Sequence, residues 1–465
     1  MILLLKQLRT NFVSGLEIFL WYIYLLMLVS VSFVGERYDS FSWAPEASYL
    51  YLFCCFYLAL LLLGANYNKQ AIRLSRTGLI TLGTLLIWLL AQFFWPTFLS
   101  IRNDFLSSAP NWFDQEFLLG ISGSQKAKSI FFANIYVFSW MLLSLAIITN
   151  RIRVKQLLIC LTLIGLSHAL IGLYAKLNSL MLVDKQMLDG HFNAARGMFV
   201  NRNHFAGLIS LSLIGVITYF SKSLMSKQGS SRPLVVILDL VLSPKVLVVV
   251  IGAISFIAII LSQSRAGVFG LVSAFFLVIT FVSFFDKRIE KKFRIMSFLI
   301  LFLIGLYLLF GQDLMTRMNA DGFTLGERVV QWNITLQAIV DAPLMGYGAG
   351  SYATVFQIYR EHTDLRQVIF DQSHNEYLQL WLEQGLVGLI LFIIFIVMAL
   401  KSAFSSYKVT SSTLVASVMI GALVVLLSAL AQSLVDFNLQ IINIRVFFFV
   451  IIALMYATTA STAKN

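Results

Sequence analysis

The sequence contains few of the residues that build metal sites, disulfide frameworks and soluble surfaces. Among its 465 residues are three cysteines, five histidines and six prolines, and only 12% are charged. Cys54, Cys55 and Cys160 all lie within apolar runs, where a free cysteine behaves as a small hydrophobic residue. This placement argues against a disulfide framework. No Asp-x-Asp motif, His-x-x-x-His motif or nucleotide-binding loop occurs, so we expect no metal and no cofactor.

The apolar content, in contrast, is too high for a soluble protein. Hydrophobic residues make up 59% of the chain, and the mean hydropathy is +0.85. A soluble domain cannot bury that much apolar surface. Backbone groups in lipid must pair internally, and runs such as 246–261 lack the alternation of barrel strands. We therefore predict an all-α polytopic integral membrane protein.

The number of spans follows from the apolar runs. The first run ends at Glu36 without a small-residue cleavage site, so we expect a retained span and not a signal peptide. With about 20 residues per span, the sequence predicts about twelve transmembrane helices. They are centred on residues 16–34, 47–65, 77–95, 129–149, 156–178, 204–220, 246–262, 267–285, 295–310, 384–400, 413–433 and 441–459.

The distribution of charge predicts the orientation. The net charge is +12, but the basic residues stand in short clusters between apolar runs, which indicates the positive-inside rule and not nucleic-acid binding. Most of the lysines and arginines fall in one alternate set of loops, so both termini are predicted to be cytoplasmic. The first nine helices then lie within 1–310, a large loop region on the opposite side of the membrane spans 311–383, and the last three helices lie within 384–465.

One candidate ligand site lies where the sixth predicted span begins. The run Arg-Gly-Met-Phe-Val-Asn-Arg-Asn-His-Phe-Ala-Gly occupies 196–207, and Asn201 or Asn203 can cap the helix. A helix N-terminus beside arginines is a natural anion site. The candidate substrate-binding residues of this run are Arg196, Arg202 and His204, and the alternative is a capped helix with snorkelling arginines.

Two further arginines lie on the same predicted side. Arg265 is in Ser-Gln-Ser-Arg-Ala-Gly, a short turn between spans, where an anchoring role is the alternative. Arg328 lies in the amphipathic stretch of the large loop, before a turn with three glycines at 346–350. That turn is either a phosphate-wrapping loop or a plain turn, but no Lys-Ser/Thr follows it, so it is not a P-loop.

The last cluster combines a histidine with an acidic residue further along the chain. Ser373 and Glu376 have capping-box spacing, which would make His374 the first residue of a helix and favour its neutral imidazole. A structural histidine in a capping turn is the alternative. Asp436 interrupts two apolar runs, and an acidic residue there is functional or paired by default.

These runs together resemble the bacterial O-antigen ligase/polymerase superfamily. The resemblance rests on the runs at 196–207 and 262–267, on Ser-His-Asn-Glu-Tyr-Leu-Gln-Leu-Trp-Leu-Glu-Gln-Gly at 373–385, and on Ser-Leu-Val-Asp-Phe-Asn-Leu-Gln at 433–440. It extends over roughly 190–440, in order and spacing. The first 180 residues fit only as generic spans.

The resemblance implies a metal-independent, inverting glycosyltransferase with a GT-C-like helical fold. Such enzymes move a glycan from an undecaprenyl-pyrophosphate carrier to an acceptor hydroxyl in the periplasm. By resemblance, Arg265 and Arg328 would bind the pyrophosphate and His374 would be the key histidine, with Asn375 and Asp436 as further substrate-binding candidates.

The sequence leaves the acceptor open. Lipid A–core would make the protein a ligase, a second carrier-linked repeat unit would make it a polymerase, and a protein would make it an O-glycosylation ligase. We favour the ligase. A non-enzymatic transporter of lipid-linked glycans is the alternative class, but it would need more charged residues within the spans than this chain has.

Overall fold

The computed structural model describes residues 2–33, 44–92, 124–180, 194–225, 245–286, 325–360 and 370–460, with the single residues 182 and 300. Regular elements within these residues are all helical. The α-helices in chain order are α1 (Ile2–Ser32), α2 (Ala44–Leu62), α3 (Lys69–Leu74), α4 (Arg76–Gln92), α5 (Ser124–Ile147), α6 (Arg151–Leu177), α7 (Arg202–Ser212), α8 (Ile214–Met225), α9 (Lys245–Leu261), α10 (Arg265–Phe285), α11 (Leu325–Asp341), α12 (Tyr352–Tyr359), α13 (Glu376–Val409), α14 (Thr413–Gln432) and α15 (Ile442–Ala460).

The protein is an all-helical, polytopic membrane protein. Seven of the described helices are long and apolar enough to cross a membrane, and α7 with α8 forms an eighth candidate span that bends by 41°. The apolar helices α2, α4 and α9 are shorter. A helix lies at every predicted span position within the described residues; the ninth predicted span, near 295–310, lies outside them.

The outer surface of these helices suits lipid. Large apolar side chains such as Leu62 and Leu177 are 81% and 79% exposed, which would be costly in water. Cys54 and Cys160 pack against the apolar core, as expected, whereas Cys55 is exposed on α2.

The helices α14 and α15 form the centre of the bundle. Of their most apolar stretches, 78% and 83% are buried. Small residues allow close helix packing in membranes, and Gly421 of α14 is an example, because a Cβ there would lie 2.5 Å from Thr218 Oγ1 of α8. Helix α10 also packs on α14, and α5 packs on α15. The short connection between the two central helices is therefore held on several sides.

A second, smaller apolar core joins α11, α12 and the start of α13. It contains residues such as Ile334, Phe356 and Leu382. We call these three elements, residues 325–384, the outer unit; residues 361–369 within it lie outside the described part of the chain, as do residues 311–324 of the predicted loop region.

A glycine turn fixes the outer unit to the membrane part of α13. Gly346 and Gly385 both have positive φ angles, of 68° and 67°, which glycine adopts without steric cost. A Cβ on Gly385 would lie 2.1 Å from Leu344 O. The N–H group of Gly348 donates to Glu383 O at 2.8 Å. The turn at 346–350 is therefore a structural turn, and its glycines allow close backbone packing.

Candidate functional site

The short connection between α14 and α15, residues 433–441, holds the acidic residue Asp436. We call it the α14–α15 loop. The Asp436 carboxylate is fully buried, and its Oδ1 accepts from Phe437 N at 2.9 Å. Asn203 of α7 donates to the other carboxylate oxygen, Oδ2. Residues 436 and 203, far apart in the sequence, are thus joined in one polar centre.

His374 contacts the same carboxylate from the outer unit. Its Nδ1 lies 3.3 Å from Asp436 Oδ1, and its side chain is 22% exposed. An ionised carboxylate only accepts hydrogen bonds, so Nδ1 carries the proton of this bond and Nε2 is the basic nitrogen of the neutral ring. The Phe437 ring packs edge-on against His374, with centroids 4.9 Å apart.

The predicted capping arrangement around His374 is wrong. Asn375 caps α13, since its side chain accepts from Tyr377 N and Leu378 N at 3.1 Å. The Ser373 hydroxyl instead bonds to the backbone of Asn375. His374 therefore precedes the cap, with a φ of 48°, and is not the first residue of the helix.

Helix α11 supports the histidine and brings Arg328 to the same loop. Gln331 and Trp332 donate to the carbonyl oxygens of Gln372 and Ser373, at 2.6 and 3.0 Å. Arg328 Nη1 donates to Val435 O at 2.5 Å. Because Val435 precedes Asp436, the arginine lies beside the buried carboxylate.

The start of α7 supplies the remaining members of this centre. Asn201 caps the helix by accepting from Asn203 N at 2.8 Å. It is one of the two cap residues that the sequence predicts. His204 is fully buried, with Nε2 3.8 Å from Asp436 Oδ1. Its ring packs edge-on against Phe437, with centroids 4.6 Å apart.

Arg265 is the exposed first residue of α10, a helix that contacts α7. The turn before it is linked to α7, because Arg202 Nη1 lies 3.3 Å from Gln263 Oε1. A Cβ on Gly267 would lie 2.7 Å from the Cβ of Ala206, so the starts of α7 and α10 are in close contact.

Two predicted ligand-binding residues, Arg196 and Asn375, make contacts within the protein itself. Arg196 is 8% exposed, and its Nη1 donates to Val200 O at 2.8 Å. The Asn375 side-chain oxygen is engaged as the cap of α13. Both contacts are compatible with a further role in substrate binding. Within the described residues, no group of three or more His, Cys, Asp or Glu side chains has the arrangement of a metal site.

Electrostatics keep Asp436 ionised. Burial raises the pKa of its carboxyl, but the hydrogen bond from His374 and the electrostatic interactions with His374, His204 and Arg328 outweigh burial and hold the pKa below its ordinary value of 3.8. Because the pKa of this carboxyl in the folded protein lies below the ordinary value, its ionised form stabilises the fold at pH values above about 4. This stabilisation is lost as the pH falls below about 4. At neutral pH, Asp436 is therefore an anion that can stabilise a protonated His374.

Three residues of this region have roles that the sequence does not predict. The sequence indicates Asn203 only as a helix cap and Glu376 only as a capping-box acid. It indicates Arg445 only as a basic residue on the predicted non-cytoplasmic side of the membrane. In the structure, Asn203 bonds to Asp436, whereas Glu376 and Arg445 both bond to the α14–α15 loop. The position of Asn203 in the Asn-Arg-Asn-His run is the only sequence feature that could have indicated this role.

Parts of the chain are similar to known proteins. The O-antigen ligase family matches residues 248–393, a segment that includes Arg265, Arg328, His374 and Asn375. An uncharacterized protein of Haemophilus influenzae is 29% identical over 154 residues, in an alignment that covers 29% of this chain. The chain spans 38% of the length of that relative. Residues 248–393 of this multi-pass membrane protein form an O-antigen ligase family domain.

Proposed function

We propose that this protein is a glycosyltransferase of the O-antigen ligase type. It transfers a glycan from undecaprenyl pyrophosphate to an acceptor hydroxyl, lipid A–core or a similar glycan, at the periplasmic face of the bacterial inner membrane. The observation that carries the proposal is the contact of His374 with a buried, ionised Asp436, with Arg328 bonded to the adjacent residue. The family domain supports an activity of the ligase or polymerase type.

The proposed reaction needs a base on one side of the sugar and fixed positive charge on the other. The acceptor hydroxyl oxygen attacks the anomeric carbon, and its proton passes to Nε2 of His374. The bond from the anomeric carbon to the pyrophosphate oxygen breaks with inversion, and the departing pyrophosphate keeps the electron pair. Donors preorganised at developing charge lower such barriers, and arginines supply them without a metal.

The residues around the base have different proposed roles. Asp436 stabilises the imidazolium that forms at His374, since it is fully buried and its low pKa makes it a poor base. Arg265 and Arg328 bind the pyrophosphate, because the guanidinium group forks two hydrogen bonds onto phosphate. Arg202, at the start of α7, binds the glycan or its carrier; His204, Arg196 and Asn375 shape the same region.

The proposed membrane arrangement has twelve spans, a GT-C-like fold and both termini in the cytoplasm. Residues 311–383 then face the periplasm, between membrane parts at 1–310 and 384–465. Reporter fusions within Gln312–Asn319 and within Lys287–Lys292 should give opposite signals, because the charge bias of the loops sets the orientation. Equal signals at the two positions would contradict both the topology and a periplasmic site.

Removing either proposed pyrophosphate arginine should weaken transfer. Arg265→Ala and Arg328→Ala each remove charge-assisted hydrogen bonds worth about 1.5–3 kcal/mol, which corresponds to a loss of about 10- to 150-fold in kcat/KM. Arg→Lys should rescue only partly, since the fork is lost. Transfer from a lipid-linked donor is measured with each purified variant.

The matched control is Arg73→Ala, which removes an exposed arginine from α3. It should leave transfer unchanged. If Arg265→Ala or Arg328→Ala has normal abundance and normal transfer, the arginine that was replaced is only a membrane anchor.

Glycan analysis of a deletion strain tests the function itself. A ligase predicts lipid A–core without polymer, with the polymer retained on its carrier. A polymerase predicts lipid A–core capped by a single repeat unit. Unchanged lipopolysaccharide together with lost modification of a protein would indicate an O-glycosylation ligase, and a purified protein that moves lipid-linked glycan without forming a glycosidic bond would indicate a transporter.

A further inference from the structure

Glu376 stands two residues after His374, in the first turn of α13, and its carboxylate is directed at another segment. The residue is 7% exposed. Its Oε1 accepts from Leu439 N at 2.5 Å and Gln440 N at 3.1 Å, and its Oε2 accepts from Gln440 Nε2 at 2.9 Å. Three donors of the α14–α15 loop thus converge on one buried carboxylate.

The backbone of Glu376 binds the other end of the same loop. Its N–H group donates to Ser433 O at 2.9 Å. Ser433 and Leu439 lie three residues before and three residues after Asp436. Glu376 therefore holds the loop on both sides of the aspartate whose carboxylate faces His374.

Arg445 of α15 completes the contact from within the bundle. Its Nε donates to Leu439 O at 2.6 Å, and its Nη2 donates to Gln440 O at 3.0 Å. The N–H groups of these two loop residues thus bond to Glu376, and their carbonyl oxygens bond to Arg445. This part of the loop is therefore held from two sides.

We infer that Glu376 is a positioning residue of the transfer reaction, which holds the α14–α15 loop so that Asp436 stays within hydrogen-bonding distance of His374. The inference rests on the proposed function, in which His374 is the base. Displacing a reacting group by about 1 Å can cost about a hundredfold in rate. Glu376 itself does not touch the reacting atoms in this scheme.

The test replaces Glu376 with glutamine, which keeps the shape of the side chain but cannot accept all three hydrogen bonds. For Glu376→Gln we expect kcat to fall about 10- to 100-fold, with KM for the lipid-linked donor within about twofold because the pyrophosphate arginines remain.

Hydrogen–deuterium exchange provides a measurement that does not depend on activity. The amides of Leu439 and Gln440 should exchange faster in Glu376→Gln than in the wild type, because the glutamine amide cannot replace all the acceptor contacts of the carboxyl group. If Glu376→Gln does not accumulate, Glu376→Asp, which keeps the carboxyl group on a shorter side chain, should give the same changes at smaller amplitude.

Glu383→Gln is the matched control. Glu383 lies on the same helix and is 5% exposed, but its carboxylate accepts from Tyr352 N and Gln379 Nε2, both at 3.3 Å, within the outer unit. It should keep the wild-type kcat and KM. A wild-type kcat in Glu376→Gln would overturn the inference, as would an equal loss of kcat in both variants. If the wild-type protein forms no glycosidic bond, the proposed function is contradicted. In that case the exchange measurement still tests the contact, because unchanged exchange at Leu439 and Gln440 in Glu376→Gln would exclude it.

Discussion

Replacing His374 with alanine should nearly abolish glycan transfer while leaving the protein folded. A general base contributes about a hundred- to ten-thousand-fold in rate, and that loss in kcat is the expected result. The helix should persist, because its cap is Asn375 and the cap does not use the imidazole. The measurement is single-turnover transfer from a lipid-linked donor by purified protein.

Two further variants separate the imidazole from the backbone at this position. His374 has a positive φ of 48°, so His374→Gly removes the ring and also relieves the conformation. Equal losses in the alanine and glycine variants would attribute the effect to the ring. His374→Gln keeps a hydrogen-bonding group without basicity, and a wild-type rate in that variant across neutral pH would rule out the base role.

Replacing Asp436 with asparagine should have the second-largest effect. The amide keeps the size of the side chain but cannot stabilise a protonated His374. In hydrolytic triads the equivalent change costs about 10⁴-fold; here we expect between about a hundredfold and 10⁴-fold in kcat. Single-turnover transfer from a lipid-linked donor by purified protein measures the loss.

The control for this variant is Asp341→Asn. Asp341 accepts a hydrogen bond from Tyr359 within the outer unit and should be neutral for transfer. If Asp436→Asn lowers the abundance of the protein but leaves its kcat unchanged, Asp436 is needed for folding, and His374 acts without a carboxylate partner.

The positions of the helices could be predicted well because they depend on local sequence. An apolar run of about 20 residues has few alternatives to a helix in lipid, and the candidate spans among the described helices lie where the runs predict them. The bend between α7 and α8 could not be predicted, since Leu213 stands there without a proline.

The candidate site could be predicted only residue by residue. Arg328, His374 and Asp436 are each a polar residue in an unusual place, but no spacing in the sequence relates 328 or 374 to 436. The capping prediction was wrong because Ser373 and Asn375 both can cap, and the backbone of Asn375 itself engages the serine hydroxyl. The role of Glu376 could not be predicted for a different reason: its partners, Leu439 and Gln440, lie more than sixty residues away in the chain.

The close approach of Gly346 and Gly385 limits how this protein can be recombined with its relatives. Backbone bonds join the turn to α13 on both sides of Gly385: Glu383 O accepts from Gly348 N at 2.8 Å, and Leu386 N donates to Pro343 O at 2.9 Å. Segments that touch through their backbones must be inherited together, because side-chain changes cannot repair a mismatch there. A chimera that exchanges the outer unit must therefore take 343–387 from one parent. Crossover points between 343 and 373 would also separate His374 from α11, the helix that supports it.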